Sequence, residues 1–497
     1  MDPLLTLSAV ELARRIRSGS VSPSEVIEAH IARLQAVNPL INAVVEDRYE
    51  AARAEARAAG ARLAATRPGE RLPPLLGVPF TVKEMVSLEG MPHTFGSRVR
   101  AQRRASADAT IVRRLRAAGA IPLGVTNVPE WGFWFETENL LFGRTCNPYD
   151  RSRIAGGSSG GEAAAVGAGG SPFGVGSDIG GSIRMPAGFC GVFGHKPTHG
   201  LLPLTGHYPV YADGPEAALP KRTPWLTAGP LARRATDLMP LLRIMAGPDG
   251  VDPNGESIDL GDPAAVEWRG RRVLLLDDPC ILGAVRATRE VRHAAAAAAR
   301  ALALRGADVR SLPRRFFRPA LRLWFAALRS TAPGPLGTLI GGGRSPLVPL
   351  ELLRMAAHQA RFTFPALMFV LLDQLRHMSP RQASALVEAG RRLGGALDEQ
   401  LGTDGILLMP THPRAAPRHH AAYLRPFDFA FTAALNVLRV PATTIPVGLS
   451  ARGLPLAVQA VARRGRDDLT IAAAHALEQD FGGWQPPAAL ETVPLAA

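Results

Sequence analysis

Hydrophobic positions along the chain follow two rhythms, one helical and one of short continuous apolar runs. Residues 8–37 carry the helical period and divide at Ser22-Pro23-Ser24-Glu25, where a capping residue precedes an early proline; Ser8 is placed to cap the first of these two helices. Residues 46–65 are rich in Ala, Arg and Glu and predict a long exposed helix, followed by a Pro-containing link at 68–74. Gly77 to Glu84 is an apolar run with the character of a buried strand, and it contains Lys83. Residues 106–119 predict a helix ended by Gly119, 120–125 a strand, and 126–130 a turn that leads to Trp131, Phe133, Trp134 and Phe135. These aromatics suit either an acyl pocket or ordinary core.

Beyond a loop at 139–148, residues 162–169 predict a short Ala-rich helix and 173–176 a strand. Residues 201–225 are Pro-rich, with Tyr208, Tyr211 and Trp225, and predict a surface loop. Residues 227–247 read as a turn and then a helix capped by Gly247. Strands at 271–276 and 307–312 flank a helix at 286–305; strands near 407–413, 443–447 and 456–461 and helices within 427–446 and at 467–479 complete the chain. This alternation predicts an α/β fold, with helices packed on a largely parallel or mixed sheet. There is no internal repeat. Residues 1–70 form an N-terminal helical portion, and about 313–380 a peripheral helical insertion on one large domain. In that insertion Phe316, Phe317, Leu321, Trp324 and Phe325 alternate with Arg314, Arg315, Arg318, Arg322 and Arg329, which fits helices buried on one side with arginine outward, or a lid or membrane-contact surface.

The most distinctive chemistry lies in 155–197. Gly156-Gly157-Ser158 and Gly180-Gly181-Ser182 each place a serine directly after a glycine pair. Glycine pairs permit turns closed to other residues and bring N–H groups close to a ligand, so a serine there is suited to nucleophilic or proton-carrying work. The helix expected after Gly160-Gly161 would turn its positive end toward Ser158. A phosphate loop is excluded, because Glu162 follows where Gly-Lys-Ser/Thr would be needed. The nucleophile elbow G-x-S-x-G does not fit at Ser182 either.

Composition sharpens this reading at one residue. Of 57 Lys and Arg, lysine occupies only positions 83, 196 and 221. Arginine does not give up its proton in a protein, whereas a buried lysine can be driven neutral and act as a base. Lys83 is therefore a candidate base, and Lys196 suits a structural pairing. His195 and His199 are expected to be structural. The net charge of +14 is spread along the chain rather than gathered in a tail, which argues against a nucleic-acid partner. Cys146, Cys190 and Cys280 provide neither a disulfide framework nor metal spacing, and no metal or cofactor is expected. No secretory signal and no apolar run of about 20 residues is seen, so a cytoplasmic location is expected.

Lys83, the GGSSGG run at 156–161 and Ser177-Asp178-Ile179-Gly180-Gly181-Ser182-Ile183-Arg184 together resemble the amidase signature family, most of all its fatty acid amide hydrolase-like and bacterial amidase members. Residues 5–60, 228–253 and 404–475 are similar to the family as well. The resemblance implies a single large domain with a central twisted mixed β-sheet covered by helices on both faces. It implies an amidase that cleaves carboxylic amides to an acid plus ammonia or an amine through an acyl-enzyme. Ser182 then corresponds to the nucleophile, Ser158 to the proton bridge, after a cis peptide at Gly157–Ser158, and Lys83 to the base. Consecutive N–H groups of Ile179, Gly180, Gly181 and Ser182 would form the oxyanion hole. Around them, Ser159 would bond near Lys83, Asp178 would hold the glycine loop, and Arg184 would pair with a carboxylate. Ser177 stands where relatives often carry Thr, and keeps the hydroxyl.

Two other readings remain open. One is the glutaminase A-type subunit of a tRNA-dependent amidotransferase, although Met185 follows Arg184 where such subunits usually carry Gln. The other is a non-catalytic membrane-associated relative, against which the joint presence of Lys83, Ser158 and Ser182 argues. The expected partner is a small-molecule amide, with peripheral membrane contact through 313–380 and a homodimer as further expectations. Pocket walls are expected from 131–142, 201–225 and the insertion.

Overall fold

Helix starts are built as their capping chemistry requires. Ser8 accepts from the Glu11 N–H at the head of Ala9–Arg17, and Ser22 and Glu25 form a reciprocal capping box at the head of Pro23–Ile41. The computed structural model describes residues 2–67, 69–207, 225–331, 336–375 and 379–491.

Thirteen strands are present among these residues: β1 Val44–Asp47, β2 Pro79–Lys83, β3 Ile121–Thr126, β4 Glu138–Asn139, β5 Gly143–Arg144, β6 Phe173–Asp178, β7 Phe193–Lys196, β8 Thr227–Ala232, β9 Arg272–Leu275, β10 Asp308–Ser311, β11 Ile406–Pro410, β12 Ala442–Leu449 and β13 Pro455–Val461. Strands β4 and β5 pair with each other. The other eleven form one mixed sheet in the order β1-β3-β2-β6-β8-β7-β12-β13-β11-β9-β10. Strand β2 runs parallel to both β3 and β6, and β9 runs parallel to β10 and β11; the remaining pairs are antiparallel.

Alternation along β2 divides the molecule into two layers. Phe80 and Val82 join a core with Leu12, Val112, Leu115 and Leu242, and Phe80 stacks on Phe173 of β6 at 5.4 Å between ring centroids. Thr81 and Lys83 face the other way. There the helix Gly160–Gly167 is buried along its whole length, its small residues allowing it to lie close to the sheet. The result is one α/β domain with helices on both sheet faces, and both Lys83 and Asp178 stand at the carboxyl ends of parallel strands, where open α/β sheets place their ligands.

Local departures from the sequence reading have physical causes. Residues 44–47 are a strand, and the following helix starts only at Tyr49. Residues 227–232 are strand β8 rather than a turn, although they hold Gly229 and Pro230, because β6 and β7 flank them on both sides. Strand β7 and the helices Arg184–Phe189 and Pro380–Leu401 add to the predicted elements. The expected loop at 201–225, with Tyr208 and Tyr211, lies for its residues 208–224 outside the described part; Trp225 is buried. In the 313–380 region, the helices Ala320–Thr331, Leu336–Ile340, Val348–Ala356 and Phe364–Leu375 bury Phe317, Leu321 and Trp324 and expose Arg314, Arg315, Arg318 and Arg322. Among the described residues, no helix is long and apolar enough to cross a membrane.

One glycine is required by the layer contact. A Cβ on Gly174 of β6 would overlap the Glu162 carboxylate, which the helix Gly160–Gly167 presses onto the sheet. Gly174→Ala is expected to cost about 3 kcal/mol through overpacking of a rigid interior, read as a lower denaturant midpoint at unchanged slope.

Candidate active site

Strand β2 delivers Lys83 to the interior with its side chain wholly buried. Its Nζ donates to Ser158 Oγ at 2.7 Å and to Ser177 Oγ at 3.0 Å. Burial drives its pKa down to about 7, against the opposing pull of Asp178, Glu162 and Glu84. Ser158 follows a cis Gly157–Ser158 peptide and precedes the helix Gly160–Gly167. The Ser158 and Ser182 segments are tied directly, because the Ser159 N–H donates to the Ser182 carbonyl at 3.1 Å. Ser159 Oγ meets the backbone of Ser177, accepting from its N–H at 3.3 Å. The second hydroxyl on Lys83 thus belongs to Ser177, and Ser159 holds Ser177 rather than the lysine.

Residues 178–184 wrap around one carboxylate. Asp178 accepts from the Gly181 N–H at 2.7 Å, the Ile183 N–H at 3.1 Å, and Arg184 Nε and Nη2, both at 3.0 Å. Asn436 Nδ2 adds a bond at 2.9 Å. Asp178 and Arg184 are both fully buried. Burial alone would raise the Asp178 pKa, but the Arg184 guanidinium and these donors hold it well below the usual carboxylate range. Arg184 also donates to Thr432 O and Gln459 Oε1, each at 3.0 Å. Outside the loop, Trp324 Nε1 donates to Ile179 O and Thr432 Oγ1 to Gly180 O, both at 2.7 Å. In a trans peptide the N–H points opposite to the carbonyl, so these bonds fix where the next N–H groups aim. The Gly181 N–H is committed to Asp178, which reduces the expected four donors to Ile179, Gly180 and Ser182; no described residue accepts from those three.

Several participants had no local signal in the sequence. Glu162 accepts from Thr81 and, at 2.8 Å, from Thr126 Oγ1, behind the Lys83 strand. Burial pushes its carboxyl up to about 8, against the opposing pull of the Thr81 and Thr126 hydroxyls and of Lys83. Thr81 could have been suspected, since it stands two residues before Lys83 on the same strand face. Thr432, Asn436 and Gln459 come from distant segments. Lys196 is buried and donates to Pro197 O at 3.0 Å, a structural role. His195 sits between Asp467 and Thr443, also structurally.

Ser182 opens into a chamber of about 360 Å³. Its walls include Phe133 and Trp134 before the signature, Trp324 and Phe369 from the insertion helices, and Phe427 and Phe429 from the turn before helix Ala430–Val437, a stretch the sequence read as helix-bearing but did not assign to the pocket. Ser182 and Tyr423 are nearly its whole polar lining, and no charged side chain contributes. Ser158 Oγ is 3.4 Å from where a Cβ on Gly132 would stand, and Gly132 also lines this chamber. Of 201–225, no described residue lines it. Glu136, Glu138 and His420 come close enough to hold a metal ion, but Arg144 Nη2 already lies among them, 2.9 Å from Glu138 and 2.7 Å from His420.

A helix-covered mixed sheet with a buried lysine on a serine, beside a second serine in an apolar chamber, defines a hydrolase-type site. The family model described as Amidase matches residues 25–471. Fatty-acid amide hydrolase 2-B of Danio rerio is 40% identical, covering 98% of this chain and 91% of that protein. Acylamidase of Rhodococcus erythropolis is 34% identical, covering 94% and 93%. The structure of 6-aminohexanoate cyclic dimer hydrolase superposes with a TM-score of 0.80 at 30% identity, covering 98% and 99%. The chain belongs to the amidase signature family, hydrolases that act on amides.

Proposed function

We propose that the chain hydrolyses amides of apolar carboxylic acids through an acyl-enzyme on Ser182, with Ser158 and Lys83 moving the proton. The observation that carries this reading is the buried Lys83 Nζ, 2.7 Å from Ser158 Oγ, with its pKa brought down to about 7. Neutral Lys83 takes the Ser158 hydroxyl proton as Ser158 takes that of Ser182. Ser182 Oγ then bonds to the amide carbon, and the N–H groups of Ile179, Gly180 and Ser182 stabilise the resulting oxyanion; one such donor is typically worth about 3 kcal/mol. The proton returns along the same path to the amide nitrogen, and the C–N bond breaks. Water then attacks the acyl-enzyme by the reverse relay and releases the acid.

The chamber selects the substrate. An uncharged, aromatic-rich cavity favours a fatty or aryl acyl group, as the name of the Danio rerio relative would suggest, over glutamine, whose charged α-groups would find no partner there. This disfavours the glutaminase-type reading, as does Met185 in place of Gln. Three cysteines without disulfides are compatible with a reducing, cytoplasmic setting.

A fluorophosphonate probe, mapped by mass spectrometry, is expected to tag Ser182 in active protein; an adduct elsewhere with Ser182 unmodified rejects the assignment. Trp324 contributes both a chamber wall and the bond to Ile179 O. Trp324→Ala is expected to lower kcat/KM for fatty or aryl amides about 30-fold, from roughly 2 kcal/mol of lost apolar burial, with a smaller loss for acetamide. Steady-state kinetics on both substrates checks this.

A further inference from the structure

Next to the chamber lies a second cavity of about 540 Å³ with the opposite character. Phe135 lines both, and its ring packs 6.2 Å from that of His412, which lines the second cavity. Five arginines surround this cavity: Arg153, Arg414, Arg418, Arg425 and Arg452. Only Glu290 and Asp428 oppose them. Arg153 is engaged by Asp150, and Arg414 Nε stands 3.5 Å from Asp428. Arg418, Arg425 and Arg452 are exposed; none forms an ion pair within 4 Å among the described residues, and Arg425 acts on the Asp428 carboxylate at longer range.

The helix Arg289–Leu304 begins at this cavity. Its N-cap, Thr288, lines the cavity, and the threonine side chain does not cap the helix. The free N–H groups of a first turn, with the positive end of a sixteen-residue helix, attract an anion. Two further polar atoms point the same way. His412 is only 4% exposed, and its Nε2 has no hydrogen-bond partner among the described residues; the same holds for Thr288 Oγ1. His412 Nδ1 lies 3.0 Å from the Arg414 carbonyl and 3.4 Å from the Arg414 N–H; the tautomer that accepts from the N–H presents Nε2 as a donor, and an anion at Nε2 would select it over the tautomer that donates to the carbonyl. Forked guanidinium groups, a helix N-terminus and neutral donors together match a planar oxyanion.

We propose that this cavity is a carboxylate-binding site, one aromatic ring away from the reacting serine. The choice of carboxylate rests on the amide-hydrolase reading above, since that reaction releases an acid. The carboxylate has two sources: a group carried on the amide substrate itself, or a free carboxylic acid.

The full chain and its Arg418→Gln/Arg425→Gln/Arg452→Gln variant are compared in two arms, with circular dichroism to establish that both are folded and Arg452→Gln alone as a milder second variant. In the first arm, acetate, succinate and inorganic phosphate are titrated by calorimetry. In the second, kcat/KM for an N-acylglycine is divided by that for the neutral N-acylethanolamine of the same chain length. A free acid is the source if carboxylate binding weakens at least tenfold in the triple variant. A substrate carboxylate is the source if the kinetic ratio falls at least tenfold. Either loss is expected to shrink as salt is raised. The proposal is overturned if neither quantity changes in either variant, or if phosphate binds the wild type tenfold more tightly than both carboxylates. The calorimetric arm needs no turnover, so a protein that hydrolyses neutral amides but ignores carboxylates fails this inference alone, and one that hydrolyses nothing fails the catalytic reading.

Discussion

Ser182→Ala is expected to lower amide hydrolysis by about 10⁴-fold or more, the scale on which removal of a nucleophile acts. The loss should fall on kcat while binding of apolar amides is retained, because Ser182 contributes little of the chamber wall, which Trp134, Trp324, Phe369 and Phe429 dominate. The fold should be unaffected. The backbone of 178–184 is held by Asp178, Arg184, Thr432 and Trp324, and none of those bonds uses the Ser182 hydroxyl. Burst-phase and steady-state kinetics with an aryl amide, beside a melting curve, make the measurement. Full activity in the alanine variant, freed of wild-type contamination, would remove Ser182 from the reaction. Ser158→Ala should cost less, since it leaves the nucleophile in place and breaks only the relay. A Ser158 loss equal to that of Ser182 would mean that the two serines act as one unit.

What the sequence made legible was the part whose chemistry is local. The GGSSGG and SDIGGSIR segments carry their turns and donors within a few residues, and the lone lysine in an apolar run stood out because arginine has replaced lysine almost everywhere else. Strand β2 was readable from its continuous hydrophobicity. Strand β8 was not, since its Thr-Ala-Gly-Pro-Leu-Ala sequence is turn-like and only its position between β6 and β7 holds it extended. Helix Arg184–Phe189 contains Pro186 and Gly188 and forms where Asp178 gathers the N–H groups ahead of it. Helix Pro380–Leu401 was missed in the sequence, although Ser379 and Gln382 form a capping box at its head, a local signal that could have found it. The remainder of the site depends on long-range placement. Phe427 and Phe429 lie far along the chain from Ser182 yet share its chamber, and Asn436 meets Asp178 across 258 residues. No local pattern encodes such meetings.

Lys83→Met is expected to have two effects of opposite sign, and the pair distinguishes a base from a structural lysine. Activity should fall about 10³- to 10⁴-fold, at the upper end of what a positioned base supplies. In the wild type, kcat/KM should rise with pH through about 7, because only neutral Lys83 can take the Ser158 proton; the variant should lose that rising limb. Stability should move the other way. The native pKa lies near 7 and the ordinary lysine value near 10.5, so between those pH values the unfolded chain binds more protons than the folded one. Raising the pH through this window therefore stabilises the fold, by about 1.4 kcal/mol per unit for one such group, and below 7 the full cost of burying Lys83 remains. Lys196, similarly lowered to about 7, contributes a parallel slope, and Glu162, raised to about 8, contributes an opposite one at lower pH. The Lys196 slope is common to wild type and variant and cancels, whereas Glu162 feels the Lys83 charge, so the difference between the stability–pH curves reports Lys83 together with its coupling to Glu162. Denaturant unfolding from pH 6 to 10 should show the variant more stable at pH 6 to 7, with the advantage shrinking as pH rises. A variant less stable than wild type across that range would mean that Lys83 holds the site together as a charged group, and a base with that protonation state could not start the relay.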